Sequence, residues 1–173
     1  MEFQIKKAVP ADYQLFADII RTVWEQMEEK SWFVADNADY TYQALSSGTG
    51  LGYKAVDPKT GTAAAVFLAV IPGMDKCNLG RDAGMEESEL LSVAHMDSVA
   101  VLPAYRGLGL QKRLMEAAEA DLKARGIRYL ICTVHPDNRF SLNNVLKQGY
   151  EILTVKEKYG GYTRAILCKT LFP

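Results

Sequence analysis

Cysteine and histidine are scarce in this sequence. There are three cysteines, Cys77, Cys132 and Cys168, and two histidines, His95 and His135. An odd cysteine count with no C-x-x-C spacing argues against a disulfide framework or a zinc knuckle. A metal site would have to lean on carboxylates, and none is expected. Long apolar runs are missing too. The longest, Ala63 to Pro72, is far too short to span a bilayer, so no membrane partner is expected. The start, Met1-Glu2-Phe3-Gln4-Ile5-Lys6-Lys7, has no apolar stretch behind its charges and does not read as a secretory signal. The expected compartment is the reducing cytoplasm. Charge excess is also absent. Twenty Lys and Arg against 21 Asp and Glu leave a net charge of −1, unlike the strongly basic balance of a dedicated nucleic-acid binder. A local anion site is compatible with that balance.

What is present suits a globular chain. At 173 residues, with 49% apolar and 24% charged, residues 1–173 are expected to form a single domain. No internal repeat or low-complexity tract stands out. Residues 3–9 alternate loosely as a strand, and Pro10 opens a helix. Leu15, Phe16, Ile19, Ile20, Val23, Trp24 and Met27 make its apolar face. A short helix is expected near Tyr40–Leu45. Gly52–Val56 and Ala63–Ile71 read as strands joined by the turn residues Asp57-Pro58-Lys59-Thr60-Gly61. Pro72 to Leu91 is a long connector, irregular except for a helical turn at Glu86–Leu91, and such segments are expected to be functional or mobile. A strand over Met96–Val101, a helix over Gly107–Arg125 and a strand over Ile127–Val134 make a β-α-β unit, which implies a right-handed crossover and parallel neighbours. A helix to Gln148 and a strand pair, Tyr150–Lys156 and Thr163–Leu171, complete the order. The predicted class is α/β (α+β): a mixed, mostly antiparallel sheet flanked by helices, with one parallel pair.

The chemistry concentrates where a strand runs through a two-glycine turn into a helix, Val99 to Gln111. Gly107 and Gly109 remove side chains where the backbone must approach something closely. The first N–H groups of the helix have no internal acceptor and carry the positive end of its dipole, which makes a phosphate cradle. Residues 103–113 contain Arg106, Lys112 and Arg113 and no acid, a local +3. A dinucleotide fold is disfavoured, because Lys112 stands where G-x-G-x-x-G requires its last glycine.

At these residues the chain resembles the GCN5-related N-acetyltransferase (GNAT) superfamily, which transfers acetyl from acetyl-CoA to an amine. Val101-Leu102-Pro103-Ala104-Tyr105-Arg106-Gly107-Leu108-Gly109 matches the family pattern V-x-P-x-Y-R-G-x-G, with Gln111 in place of the final Gly or Ala. Asn138, Ser141 and Gly149-Tyr150 resemble a second family helix, in which Val145 replaces the usual tyrosine, the acid that protonates the leaving thiolate in many relatives. The resemblance implies the GNAT fold with a splayed parallel pair, and acetyl-CoA as cofactor. It implies cofactor contacts from Arg106, Gly107, Leu108, Gly109, Leu110, Gln111 and Lys112, from the backbone of Val99, Ala100 and Val101, and from Asn138 and Ser141. It admits a homodimer.

Where a dedicated base is used, the resemblance commonly puts it on the strand entering the turn, where His95 and Asp97 share a face with Val99 and Val101; a mechanism with no dedicated base stays open, as do Glu89 and other carboxylates of the preceding loop. A lysine-like amine has a pKa of about 10.4, so freeing its nucleophilic form near neutral pH costs about 4–5 kcal/mol and rewards a base. Tyr159, Tyr162 and His135 are substitute donors for the leaving thiol. Cys132 reads as a core residue. Trp32 and Phe33 are candidates to line the acceptor mouth. Residues 12–39 carry a net −5 and residues 73–97 a net −4. Because the family's acceptor side borders these segments, a positively charged amine, small or peptidic, is the expected acceptor. The competing reading is a catalytically weak acyl-CoA-binding or sensing module on the same fold, kept open by Val145.

Overall fold

The computed structural model describes residues 2–33 and 38–172. Its strands are β1 (Gln4–Lys7), β2 (Gly50–Val56), β3 (Ala63–Val70), β4 (Val93–Val101), β5 (Tyr129–Val134), β6 (Glu151–Lys158) and β7 (Tyr162–Thr170). They form a seven-stranded sheet in the order β1-β2-β3-β4-β5-β7-β6. β1–β2, β2–β3, β5–β7 and β6–β7 are antiparallel. β4 and β5 run parallel through Val93–Tyr129, Ala94–Leu130 and His95–Ile131. This is the mixed, mostly antiparallel sheet expected. The chain divides into two compact units: Met1–Glu28, Ala35–Val70 and Asp97–Asp121 form one, and Glu29–Val34, Ile71–Met96 and Leu122–Pro173 the other. Among the described residues no helix is long and apolar enough to cross a membrane.

In the first unit, Pro10–Asp12 form a single 3-10 turn before α1 (Tyr13–Glu25). Asp12 Oδ2 accepts the Val9 N–H at 3.0 Å, and its Oδ1 pairs with Lys54 Nζ at 2.6 Å. Phe16, Ile19, Ile20 and Val23 of α1 are buried, as their spacing predicts. A second helix, α2 (Ala38–Ser47), is longer than the sequence suggests. Gly52 lets these elements meet. A Cβ there would lie 2.8 Å from Ala8 Cβ and Phe16 Cε1 and 2.9 Å from Leu45 Cδ2, distances real side chains do not tolerate. Every residue of β3 after Ala63 is buried, which is why it reads as a continuous apolar run.

In the second unit the long connector is pinned rather than loose. Asn78 is fully buried; its Nδ2 donates to the carbonyls of Gly73 (2.7 Å) and Leu90 (3.1 Å), and its Oδ1 accepts the Gly80 N–H (2.8 Å). Leu79 joins a core cluster with Val93, Ile131, Ile166 and Cys168. Asp82 bridges Lys156 (2.5 Å) and Lys158 (2.9 Å) of β6. The connector ends in a one-turn helix, α3 (Glu87–Leu90), and β4 begins at Val93, three residues before its predicted start, where parallel pairing with β5 begins.

Candidate functional site

The first unit contains the glycine turn. Helix α4 (Leu110–Ala124) starts three residues later than its apolar pattern suggests, because Gly107 and Gly109 hold φ of +78° and +70°, outside the right-handed helical region. A Cβ at either glycine would meet nothing within 4 Å, so the space above the turn is open. The Arg113 N–H donates to the Gly109 carbonyl at 3.2 Å. The N–H groups of Leu110, Gln111 and Lys112 precede it and, as first-turn groups, lack an acceptor earlier in the helix. The arrangement fits a pyrophosphate: turned backbone donors, a dipole end and no Cβ in the approach.

Side chains divide around this cradle. Arg106 and Leu108 are exposed, whereas Leu110 is buried and can offer only its backbone. Lys112 is exposed and within 3.7 Å of Glu116. Gln111 turns along the helix, its Nε2 at 4.0 Å from Met115 Sδ. Arg113 departs from the expected cationic trio. Its Nη2 donates to the Phe3 carbonyl at 2.7 Å, fastening α4 to the N-terminal segment, which leaves Arg106 and Lys112 as the cations of the turn.

Upstream on β4, Asp97, Val99 and Val101 are partly exposed while Ser98 and Ala100 are buried, the alternation expected of this strand. The Asp97 carboxylate is held from two sides: Tyr40 Oη of α2 donates to Oδ1 at 3.3 Å, and Ser98 Oγ donates to Oδ2 at 2.9 Å. Neither hydroxyl is suggested by a local motif. Tyr40 stands 57 residues before Asp97.

His95, Asn138, Ser141 and Tyr159 belong to the second unit. His95 is 7% exposed, and its Nε2 accepts the Leu79 N–H at 2.9 Å. Burial, aided by the nearby Lys158 ammonium, pushes its pKa down to about 4, against a weaker upward pull from Asp82 and Asp75. It is a neutral imidazole whose acceptor nitrogen anchors the connector. Asn138 caps helix α5 (Arg139–Lys147), with its Oδ1 accepting the Ser141 N–H at 3.2 Å, and its amide nitrogen keeps its donors. Val145 is buried in the core. Tyr159, at φ +52° in the β6–β7 turn, is exposed, with its Oη 3.3 Å from Thr133 Oγ1. Cys132 is buried, and burial pushes its thiol up to about 12, which leaves it inert near neutral pH. Trp32 stacks on His135 with ring centroids 6.3 Å apart. Arg164 is 2% exposed and donates to the carbonyls of Thr163 (2.8 Å) and Ser31 (2.7 Å), so a buried guanidinium clamps the Lys30–Trp32 turn.

Comparison by sequence with curated proteins returns no match. Solved structures do match in fold. NAA60 of Arabidopsis thaliana in complex with acetyl-CoA aligns at TM-score 0.78 and 11% identity, over 98% of this chain and 99% of its own. The NatC complex bound to Gag peptide and CoA aligns at TM-score 0.74 and 18% identity, over 99% and 100%. A phosphinothricin acetyltransferase from Sinorhizobium meliloti in complex with acetyl-CoA aligns at TM-score 0.70 and 18% identity, over 99% and 89%. The family model for the acetyltransferase (GNAT) family matches residues 11–150, a span that holds the glycine turn, Asp97 and Asn138. The chain therefore belongs to the acetyltransferase (GNAT) family.

Proposed function

We propose that the protein is an N-acetyltransferase that uses acetyl-CoA to acetylate a primary amine. The observation that carries this reading is the open glycine turn at the start of α4, with positive φ at Gly107 and Gly109 and no atom within 4 Å of either missing Cβ. The backbone N–H groups from Gly107 to Lys112, with Arg106 and Lys112, hold the cofactor phosphates. The backbone of Val99 to Val101 holds the pantetheine amides and offers an N–H to the thioester carbonyl. The family resemblance assigns the amide nitrogen of Asn138, in the second unit, to the same arm. Bound acetyl-CoA supplies an acetyl group activated as a thioester, which passes to the amine nitrogen as the CoA thiol leaves.

For the base, the geometry favours Asp97 over His95, because His95 is buried with its acceptor nitrogen committed to Leu79, whereas the Asp97 carboxylate is partly exposed on β4 and oriented by Tyr40 and Ser98. Asp97 accepts an N–H of the incoming ammonium and takes one proton, directly or through water, before the freed amine nitrogen attacks; the second proton lost from nitrogen balances the one gained by the departing thiolate. Tyr159, exposed in the second unit, is the proposed donor for the departing sulfur on the chemistry of its phenol alone, since Val145 stands where many relatives carry a tyrosine. A carboxylate at the acceptor position selects a positively charged amine. The neighbours in fold include one bound to a peptide and one named for phosphinothricin, so the choice between peptide and small amine falls to a direct screen. Purified protein with acetyl-CoA and a panel of polyamines, basic peptides and amino acids should release thiol and add one acetyl group by mass spectrometry to a cationic member. CoA binding without thiol release across the panel would favour the sensing module.

A further inference from the structure

Asp97 sits at the site but does not set its own orientation. We propose that Tyr40 of α2, together with Ser98, is a positioning residue for the acetyl transfer, fixing and keeping ionised the carboxylate that receives the amine; this rests on the assignment of Asp97 as base. A carboxylate on a strand end can rotate about its last bond, and each oxygen has two lone pairs. Here the two oxygens are held separately. Tyr40 Oη lies 3.3 Å from Oδ1, and Ser98 Oγ lies 2.9 Å from Oδ2. With each oxygen engaged by a hydroxyl, rotation of the carboxylate breaks both contacts, so the two hydroxyls fix its plane. Both partners are hydroxyl donors, which favour the charged form over the protonated one.

The two donors differ in origin. Ser98 is adjacent in sequence and travels with Asp97 on β4. Tyr40 comes from α2, so any movement of α2 alters the carboxylate. α2 belongs to the same compact unit as Asp97 and follows the acidic segment after α1. The tyrosine thereby links the placement of that helix to the readiness of the base. Tyr40, itself titratable, faces the Asp97 carboxylate from α2, and the neutral Ser98 faces it from its own strand.

The test is the pH dependence of kcat/KM with one acceptor amine. Tyr40→Phe removes the hydroxyl and keeps the ring. It should move the acid limb upward by about 0.5–1 pH unit and lower kcat, with the KM for acetyl-CoA unchanged. Ser98→Ala should move the same limb in the same direction, which keeps the idea open to refutation if Tyr40→Phe does not fold. In an Asp97→Asn background, Tyr40→Phe should add no further loss, whereas a merely structural tyrosine would add its full effect. If Asp97→Asn abolishes the limb and neither Tyr40→Phe nor Ser98→Ala shifts it, the positioning role is refuted while Asp97 stands. If Asp97→Asn leaves the limb in place, the base assignment fails and this inference falls with it.

Discussion

A histidine acts as a base through a nitrogen whose lone pair can reach the substrate, and in His95 that nitrogen already accepts the Leu79 N–H. Its pKa of about 4 lies below the ordinary 6.5, with burial the main cause. Between about pH 6.5 and 4 the unfolded chain takes up a proton that the folded chain refuses. Stability from this group is therefore complete above the unfolded value and is lost as pH falls toward the folded one, by about 3 kcal/mol across the window. His95→Gln retains an acceptor for Leu79 and removes the titration. Denaturant melts at pH 7 and pH 4.5 should differ less in the variant than in the parent, while the acid limb of kcat/KM persists. A variant whose stability keeps the parent's slope would assign that slope to other groups. Gly109 allows a second test at single-residue scale. At φ +70° most residues are strained, but asparagine tolerates the left-handed region, and no protein atom lies within 4 Å of a Cβ there. Gly109→Asn should fold normally and bind CoA at least tenfold more weakly by calorimetry, about 1.4 kcal/mol, because its side chain occupies the phosphate approach. Equal affinity would move the phosphates elsewhere.

At the scale of elements, the connector from Pro72 to Leu91 shows where the sequence is opaque. Its glycines, its one proline and its acids read as an irregular loop, yet buried Asn78, Leu79 on His95 and Asp82 on two lysines hold it in place. The anchoring partners beyond the local Gly73 and Gly80 are distant in sequence: Lys158 is 76 residues beyond Asp82, His95 is 16 beyond Leu79, and Asn78 reaches Leu90 across 12. The glycine turn was legible for the opposite reason. Its chemistry resides in the backbone of consecutive residues, so Arg106, Gly107 and Gly109 reveal it without a tertiary partner. Tyr40 and Arg164 act through contacts made only on folding, Tyr40 on Asp97 and Arg164 on Ser31, whereas Ser98 stands beside the residue it serves. Asp82 makes the connector's attachment testable. Burial raises its pKa, but hydrogen bonds and charge from Lys156 and Lys158 outweigh this and hold it below the usual carboxylate value. Its contribution is present above the unfolded pKa and is lost as pH falls through the folded one. Asp82→Asn should cost about 1–2 kcal/mol at pH 7, with Lys156 partly exposed and screened, and almost nothing at pH 2. Hydrogen exchange should quicken at the Asn78–Gly84 amides first. Unchanged exchange there would show that Asn78 and His95 suffice.

For the whole molecule, counting formal charges overstates the field an acceptor meets. In residues 12–39, Asp12 is paired with Lys54, Asp18 with Arg21, and Glu29 is turned onto Ser31, while Asp36 lies outside the described residues. In residues 73–97, Asp75 accepts the Cys77 N–H, Asp82 is paired twice, and Glu89 accepts both the Glu86 N–H and the Tyr129 hydroxyl. The net −5 and −4 of these segments shrink once Lys54, Lys156 and Lys158, all outside the segments counted, are included. On the proposed assignment, selection of a cationic amine depends on one short-range contact, the Asp97 carboxylate, rather than on a long-range potential. The two cases separate by ionic strength, because exposed charges are screened beyond about 8–10 Å at 0.10–0.15 M salt, whereas a direct ammonium–carboxylate contact is screened far less. We expect kcat/KM for a monocationic amine to fall by less than about threefold between 20 and 200 mM salt. A dication of similar shape should gain little over it even at 20 mM. Asp97→Asn should remove most of the preference for a cation over a neutral amine of equal size. A tenfold or steeper fall with salt, joined to a large advantage for the dication, would return the selection to the acidic segments as a field.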